Sequence, residues 1–232
     1  MTEVILKFTR EEYAQRLAKT RRAMEEKGVD LLIVSDPSNM NWLTGYDGWS
    51  FYVHQCVVVP PEGEPIFFGR GMDAVGARFT AYLSEANIIG YADDYVQNTQ
   101  KHPMDLLSQI LTDKGWGAKR IGVEMDNYWF SAAAFAALQK HLPNARFTDT
   151  TGLVNWQRAV KSPTELDYMR KLCIGFPVIL FLQDTCGNTL FHYAAAFQNR
   201  KLMECLLSEG AKDQTNGSGK TGQQLFEAGS FK

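Results

Sequence analysis

The sequence has little of what usually announces a function. Its four cysteines, Cys56, Cys173, Cys186 and Cys205, are widely spaced and form no CxxC pair. That speaks against a metal knuckle and for free thiols in a reducing compartment. Charge of one sign is not in excess: the net charge is −2, which gives nucleic acid or an anionic membrane no electrostatic hold. The start, MTEVILKFTREEY, lacks the basic region, long apolar stretch and small-residue cleavage site of a signal peptide, so the cytoplasm is the expected location. Long hydrophobic runs are also missing. The longest, LCIGFPVILFL over 172–182, has 11 residues, against about 20 for a membrane span. It is read as a buried strand or junction. No phosphate-binding loop and no nucleophile–base set stands out.

What is present is an alternation of helix and strand patterns. Thr9 and Glu12 read as a capping box opening a helix over 10–27 that stops at Gly28. Tyr13, Leu17 and Met24 give this helix an apolar face. A short apolar strand follows at 31–34, and Pro37 opens a turn or short helix through Met40 and Leu43. Segments 55–59 and 65–68, split by Pro60, Pro61 and Gly63, form a hairpin pattern. Helices are expected at 72–83, 104–111 and 131–141, and strands at 87–91, 121–124 and 146–149. The result is an α/β domain over 1–160, with a mixed central sheet flanked by helices. Ser162, Pro163 and Glu165 mark another helix start, leading to a helix over 164–171. Residues 161–183 are read as this helix plus the apolar junction.

The runs PSNMNWLTGYDGWSFY (37–52), GMDAVGARFTAYL, YADDYVQN, KHPMDLL, IGVEMDNYWFSA and GLVNWQRAVKSPTELDYMRK together resemble the amino-terminal domain of the creatinase/prolidase family. Within it they are most similar to the ectoine-hydrolase branch, which opens the cyclic amidine of ectoine. The resemblance covers residues 1–171. It implies a small α/β domain that mediates dimer contacts and shapes a substrate pocket, while catalysis resides in a following pita-bread domain. After residue 171 the acids Asp184, Glu204, Glu209, Asp213 and Glu227 and the single His192 do not match the family's metal-ligand pattern. They read as surface acids, so neither a catalytic residue, a metal ligand nor a cofactor is expected in this chain.

Residues 184–232 read differently. Gly187, Thr189, Leu190, Phe191, His192, Ala194 and Ala195 resemble the first helix of an ankyrin repeat, with leucine in place of the usual proline. Leu202, Leu206, Leu207, Gly210 and Ala211 match its second helix and turn, and Gly219, Lys220 and Thr221 restart the pattern. Met203 and Cys205 are read with the apolar face of that second helix. The resemblance makes His192 a structural residue bonded to turn backbone. One repeat and a fraction cannot cover their own apolar faces, since about three repeats are needed. The short all-α tail is therefore expected to be marginal and to lean on residues 164–183.

Within the first domain, Trp42, Tyr46, Trp49, Phe51 and Tyr52 cluster around Gly45 and Gly48. Such a cluster serves as core and loop anchor, or as an aromatic wall for a delocalised cation such as ectoine's amidinium. The substrate-binding candidates are Trp49, Phe51 and Tyr52, together with Arg70, whose guanidinium suits a carboxylate and which Asp73, Asp93 or Asp94 could instead pair. His54 and His102 read as structural. Three functions remain open: a non-catalytic lobe of an ectoine-hydrolase-like protein, a homodimer through its first domain; a protein-interaction module using the ankyrin-like tail; and a truncated or artefactual join of two unrelated pieces. The genomic sequence across 165–190 separates the last from the others.

Overall fold

A computed structural model describes residue 4 and residues 6–175 and 182–229. Most of the apolar junction expected at 172–182 lies outside the described residues. Internal contacts divide the chain into two units, Met1–Val160 and Lys161–Lys232.

In the first unit, helix α1 (Arg10–Glu26) leads to strand β1 (Leu31–Val34), helix α2 (Pro37–Thr44) and the hairpin strands β2 (Cys56–Val59) and β3 (Ile66–Arg70). Helix α3 (Gly71–Thr80), β4 (Ile88–Tyr91), α4 (Pro103–Asp113), β5 (Arg120–Val123), α5 (Ala132–His141), β6 (Arg146–Asp149) and α6 (Leu153–Ala159) complete it. The six strands form one sheet in the order β4-β3-β2-β1-β5-β6. β2 runs antiparallel to both β1 and β3. The pairs β1–β5, β5–β6 and β3–β4 are parallel.

The near-continuous apolar strands follow from burial on both faces. Leu32, Val34, Val57, Val59 and Phe67 pack with residues of α1, α2, α3 and α6 on one side. Leu31, Ile33, Val58, Phe68, Ile121 and Val123 pack with α4 and α5 on the other.

Local chemistry sets the helix boundaries. The Thr9 side chain accepts from the Glu12 N–H, 3.2 Å away, but the reciprocal half of the expected capping box is not made. The Glu12 carboxylate instead accepts from Arg16 at 3.2 Å, and the Arg16 guanidinium also lies 3.9 Å from the Phe8 ring centre. Helix α3 ends at Thr80 rather than 83, and α6 has no counterpart among the expected helices. Gly45 ends α2 at φ +82°, where an added Cβ would stand 2.9 Å from both the Thr80 carbonyl and the Tyr13 hydroxyl. Only glycine meets both demands without strain.

In the second unit, Ser162 and Glu165 do make a reciprocal capping box (2.8 and 3.1 Å). The helix they open, α7 (Pro163–Gly175), runs past the expected end at 171. Helices α8 (Leu190–Ala196), α9 (Arg200–Ser208) and α10 (Gly222–Glu227) follow. They share a small core of Phe191, Ala194, Ala195, Met203, Leu206 and Ala211. Cys205, read with the apolar face, is exposed, because α9 turns Met203 and Leu206 inward instead. The phenyl ring of Phe191 would sit 2.5 Å from a Cβ at residue 222, which is why glycine stands there. Among the described residues, no helix is long and apolar enough to cross a membrane.

Candidate functional site

The strand directions place the carboxyl ends of β1, β3, β4, β5 and β6 and the amino end of β2 along one edge of the sheet. Both groups of chemically distinctive residues in the first unit lie on this edge. In open α/β sheets, ligands bind at the carboxyl ends of strands.

The first group gathers the candidates from the sequence. After Gly45 the chain leaves α2 and crosses to β2. Trp42 and Tyr46 are buried there, so these two aromatics are core. Trp49, Phe51 and Tyr52 are 60%, 83% and 65% exposed, and the rings of Trp49 and Phe51 are 5.6 Å apart. Three large rings facing water within residues 49–52 are not explained by packing within the first unit.

Arg70, the last residue of β3, makes a two-pronged ion pair with Asp93: Nε donates to Oδ1 at 2.7 Å and one terminal nitrogen to Oδ2 at 2.8 Å. Its partner is Asp93, not Asp94, which pairs with Lys101. The bond to Asp93 holds the guanidinium firmly charged, with Tyr52 and Asp73 also close enough to contribute. The pair uses two of the five guanidinium N–H groups, and the far end of the fork still has donors for a ligand carboxylate.

Behind this group, a cleft of roughly 140 Å³ is lined by residues including Tyr52, His54, Tyr91, Tyr95 and His102. The rings of His54 and His102 lie 4.6 Å apart. Burial, followed by the neighbouring His102, pushes His54 down to about 4, against a hydrogen bond to the Trp129 backbone. Burial also lowers His102. His102 Nδ1 accepts the Met104 N–H at 3.1 Å and so caps α4, while the Tyr91 hydroxyl donates to the His54 carbonyl at 2.7 Å. The His102 ring thus serves as a helix cap, while the Tyr91 contact is to the backbone of His54.

The second group was not singled out from the sequence. Glu124, immediately after β5, is 4% exposed. Its carboxylate accepts from the Ser35 N–H (2.7 Å), the Asp36 N–H (2.8 Å), Asn39 Nδ2 (2.6 Å) and Asn127 Nδ2 (3.2 Å). Burial pushes its carboxyl up from the ordinary value, and the bonds from Asp36, Ser35 and Asn39 pull it back. Asn39, fully buried, also donates to Asn155 (2.8 Å) and accepts from Arg158 (2.8 Å). The network ties the loops after β1 and β5 to α2 and α6. The signal for it in the sequence was an acid directly following an apolar strand, in the run IGVE.

Among the described residues, no three or more histidine, cysteine or carboxylate side chains gather where they could hold a metal ion.

Residues 16–160 match the Creatinase/Prolidase N-terminal domain family. Over 171 residues the chain is 59% identical to ectoine hydrolase of Halomonas elongata, covering 73% of this chain and 43% of that protein. An uncharacterized hydrolase/peptidase, y4tM, of Sinorhizobium fredii is 42% identical over 168 residues, covering 72% and 43%. The chain thus spans less than half the length of these curated relatives. Among solved structures, dipeptidase PepE from Mycobacterium ulcerans aligns with a TM-score of 0.54 at 20% identity, covering 88% of this chain and 51% of that one. A proline dipeptidase from Streptococcus pneumoniae aligns at 0.51 and 22% identity, covering 62% and 98%. At such identities these two speak for the fold.

Proposed function

The chain belongs to the Creatinase/Prolidase N-terminal domain family, and from that premise we propose that its first unit is the substrate-pocket-shaping lobe of an ectoine-hydrolase-like protein. The observation that carries this reading is the arrangement on the sheet edge. Three exposed rings, Trp49, Phe51 and Tyr52, stand on the same edge as an arginine fixed by Asp93. Ectoine carries a delocalised amidinium and a carboxylate. An aromatic face attracts the first and a guanidinium fork the second. The 59% identity to the Halomonas elongata enzyme supports this ligand class over other amidines. Hydrolysis is assigned to machinery outside residues 1–171, and a second copy is proposed to pair through the first unit.

The test is a chimaera in which residues 1–171 replace the matching segment of the Halomonas elongata enzyme. The chimaera is expected to open ectoine. Arg70→Gln in it should raise KM by about tenfold, with a smaller effect on kcat, and Trp49→Ala or Phe51→Ala should also raise KM. An active chimaera whose KM is unmoved by all three substitutions would remove these residues from the pocket.

For residues 184–232, within the second unit, we propose an ankyrin-type protein-interaction segment. Its support is the placement of His192. Nδ1 lies 3.1 Å from the Thr189 nitrogen and 2.9 Å from its hydroxyl, and Nε2 lies 3.2 Å from the Lys220 carbonyl. One imidazole thus links the start of α8 to the turn that opens α10. The two turns also touch directly, through Gly217 N–H to the Cys186 carbonyl at 2.7 Å and Asn216 to Asn188 at 2.8 Å.

A further inference from the structure

At two places in the chain a glycine follows an aspartate or asparagine, in Asp47–Gly48 and Asn216–Gly217. In such pairs the glycine nitrogen can attack the preceding side-chain carbonyl carbon, Cγ, because no Cβ on the glycine shields the approach. The attack requires the nitrogen and the side-chain carbonyl to be free to move toward each other. Folding leaves these two pairs in opposite conditions.

Asn216–Gly217 is locked. The Gly217 N–H donates to the Cys186 carbonyl at 2.7 Å. Asn216 Nδ2 donates to Asn188 at 2.8 Å, and its Oδ1 accepts the Ser218 and Lys220 N–H groups at 3.0 Å each. Asp47–Gly48 is open. Both residues lie in the irregular stretch after α2, and Asp47 is exposed. The Asp47 N–H donates to Thr80 Oγ1 at 3.2 Å. Among the described residues, no hydrogen bond engages the Gly48 N–H or the Asp47 carboxylate. Packing explains why the glycine stands there. A Cβ at residue 48 would be 2.5 Å from the Tyr46 hydroxyl. Tyr46 is buried, its ring 4.4 Å from that of Phe67, so it has no room to swing aside.

We propose that Asp47 is a spontaneous modification site, converting to isoaspartate through a succinimide with Gly48 and so resetting the loop that carries Trp49, Phe51 and Tyr52. The Gly48 nitrogen forms a bond to Asp47 Cγ and gives up its proton. That proton leaves with the carboxyl hydroxyl as water, and a five-membered ring remains. Water then reopens the ring. Attack at Cγ restores aspartate, whereas attack at the former backbone carbonyl leaves the main chain running through Cγ. One water leaves and one enters, so composition is unchanged and no oxidant is needed. The product has an extra methylene in its main chain two residues before Trp49. The proposal stands on the freedom of these two residues and does not depend on what the aromatic loop binds.

The experiment ages the ¹⁵N-labelled 232-residue chain at about pH 6, where some of the reactive neutral carboxylic acid is present, both folded and unfolded in guanidinium chloride. Peptide mapping with endoproteinase Asp-N, which cuts before aspartate but not before isoaspartate, follows residue 47. The mass change from amide to acid follows residue 216. Asp47 is expected to isomerise in the folded chain within about threefold of its unfolded rate, since no contact must open first. Asn216 should deamidate at least about tenfold more slowly folded than unfolded. A second Trp49 indole N–H signal should grow at the rate of isoaspartate formation. Asp47→Glu, which would have to close a six-membered ring, should abolish both changes. The exposed, unengaged side chain makes that substitution neutral for the fold. The proposal is overturned if folding slows Asp47 by about tenfold or more or protects Asn216 no better than Asp47. It is also overturned if the Trp49 signal stays single while isoaspartate accumulates.

Discussion

Glu124→Ala is expected to lower the unfolding free energy of the first unit by about 4 kcal/mol, the largest effect of any single substitution on the sheet edge. Removing the carboxylate strands the Ser35 and Asp36 N–H groups and the Asn39 and Asn127 amides, which now share it. Each buried donor left without a partner costs about 1–3 kcal/mol, though water entering at the sheet edge would relieve some of that cost. Asn39 is fully buried, so its loss of partner is the most severe. Glu124→Gln keeps the shape but turns an amide N–H toward donors, so it should also destabilise, by less than alanine. All five tryptophans, Trp42, Trp49, Trp116, Trp129 and Trp156, precede residue 161. Urea unfolding followed by tryptophan fluorescence therefore reports on the first unit. A loss below about 1 kcal/mol would show that the network is dispensable.

The second large effect is a pH dependence that resides in His54. Burial holds its folded pKa at about 4, against 6.5 for the free side chain. The unfolded chain therefore binds the extra proton first as pH falls. Stability from this group is intact above pH 6.5 and is lost as pH drops toward 4. Moving from about pH 7.5 to about pH 5 should cost on the order of 2 kcal/mol, and His102, also lowered, adds to it in the same direction. His54→Gln has no charge to gain, and its amide can still bond the Trp129 backbone. Its unfolding free energy should fall less over this range than that of the parent, by about the same 2 kcal/mol. Parallel pH profiles for the two proteins would show that His54 is not the titrating group. Loss of this contact acts on the loop that presents Tyr52, so acid should loosen the aromatic group before the rest of the sheet.

The inner strands were legible because they are short apolar runs between strong breakers. Leu31–Val34 stands where that pattern put it, and the hairpin of β2 and β3 followed from Pro60, Pro61 and Gly63. The edge strand Arg146–Asp149 also stands at its expected bounds, although its sequence, RFTD, is no apolar run. Helix α6 was not legible. It has seven residues, mixes Val154 and Trp156 with Asn155, and starts at a glycine instead of a capping side chain, so neither periodicity nor a cap marks it. The overextension of α3 to 83 came from reading Ala81, Tyr82 and Leu83 as helical. Tyr82 N–H instead bonds the Thr44 carbonyl at 3.0 Å, a long-range contact that no local pattern encodes.

The candidate site was legible in part for the same reason. An aromatic cluster around Gly45 and Gly48 and an arginine after a strand are local signals, and with the family resemblance they mark Trp49, Phe51, Tyr52 and Arg70 as candidates. The partners of Glu124 lie 85 to 89 residues away at Asn39 and Ser35. Asn155 is a further 116 from Asn39. A network closed over such separations exists only once the sheet has formed.

The claim at the centre of this account is that the chain shapes a pocket and does not by itself perform the chemistry. Incubating the purified 232-residue chain with ectoine, with and without added divalent metal, and following ring opening by NMR tests it directly. No ring opening above the uncatalysed background is the expected result under every condition. Turnover that scales with chain concentration, and that survives further purification, would contradict it and place catalytic groups within these residues.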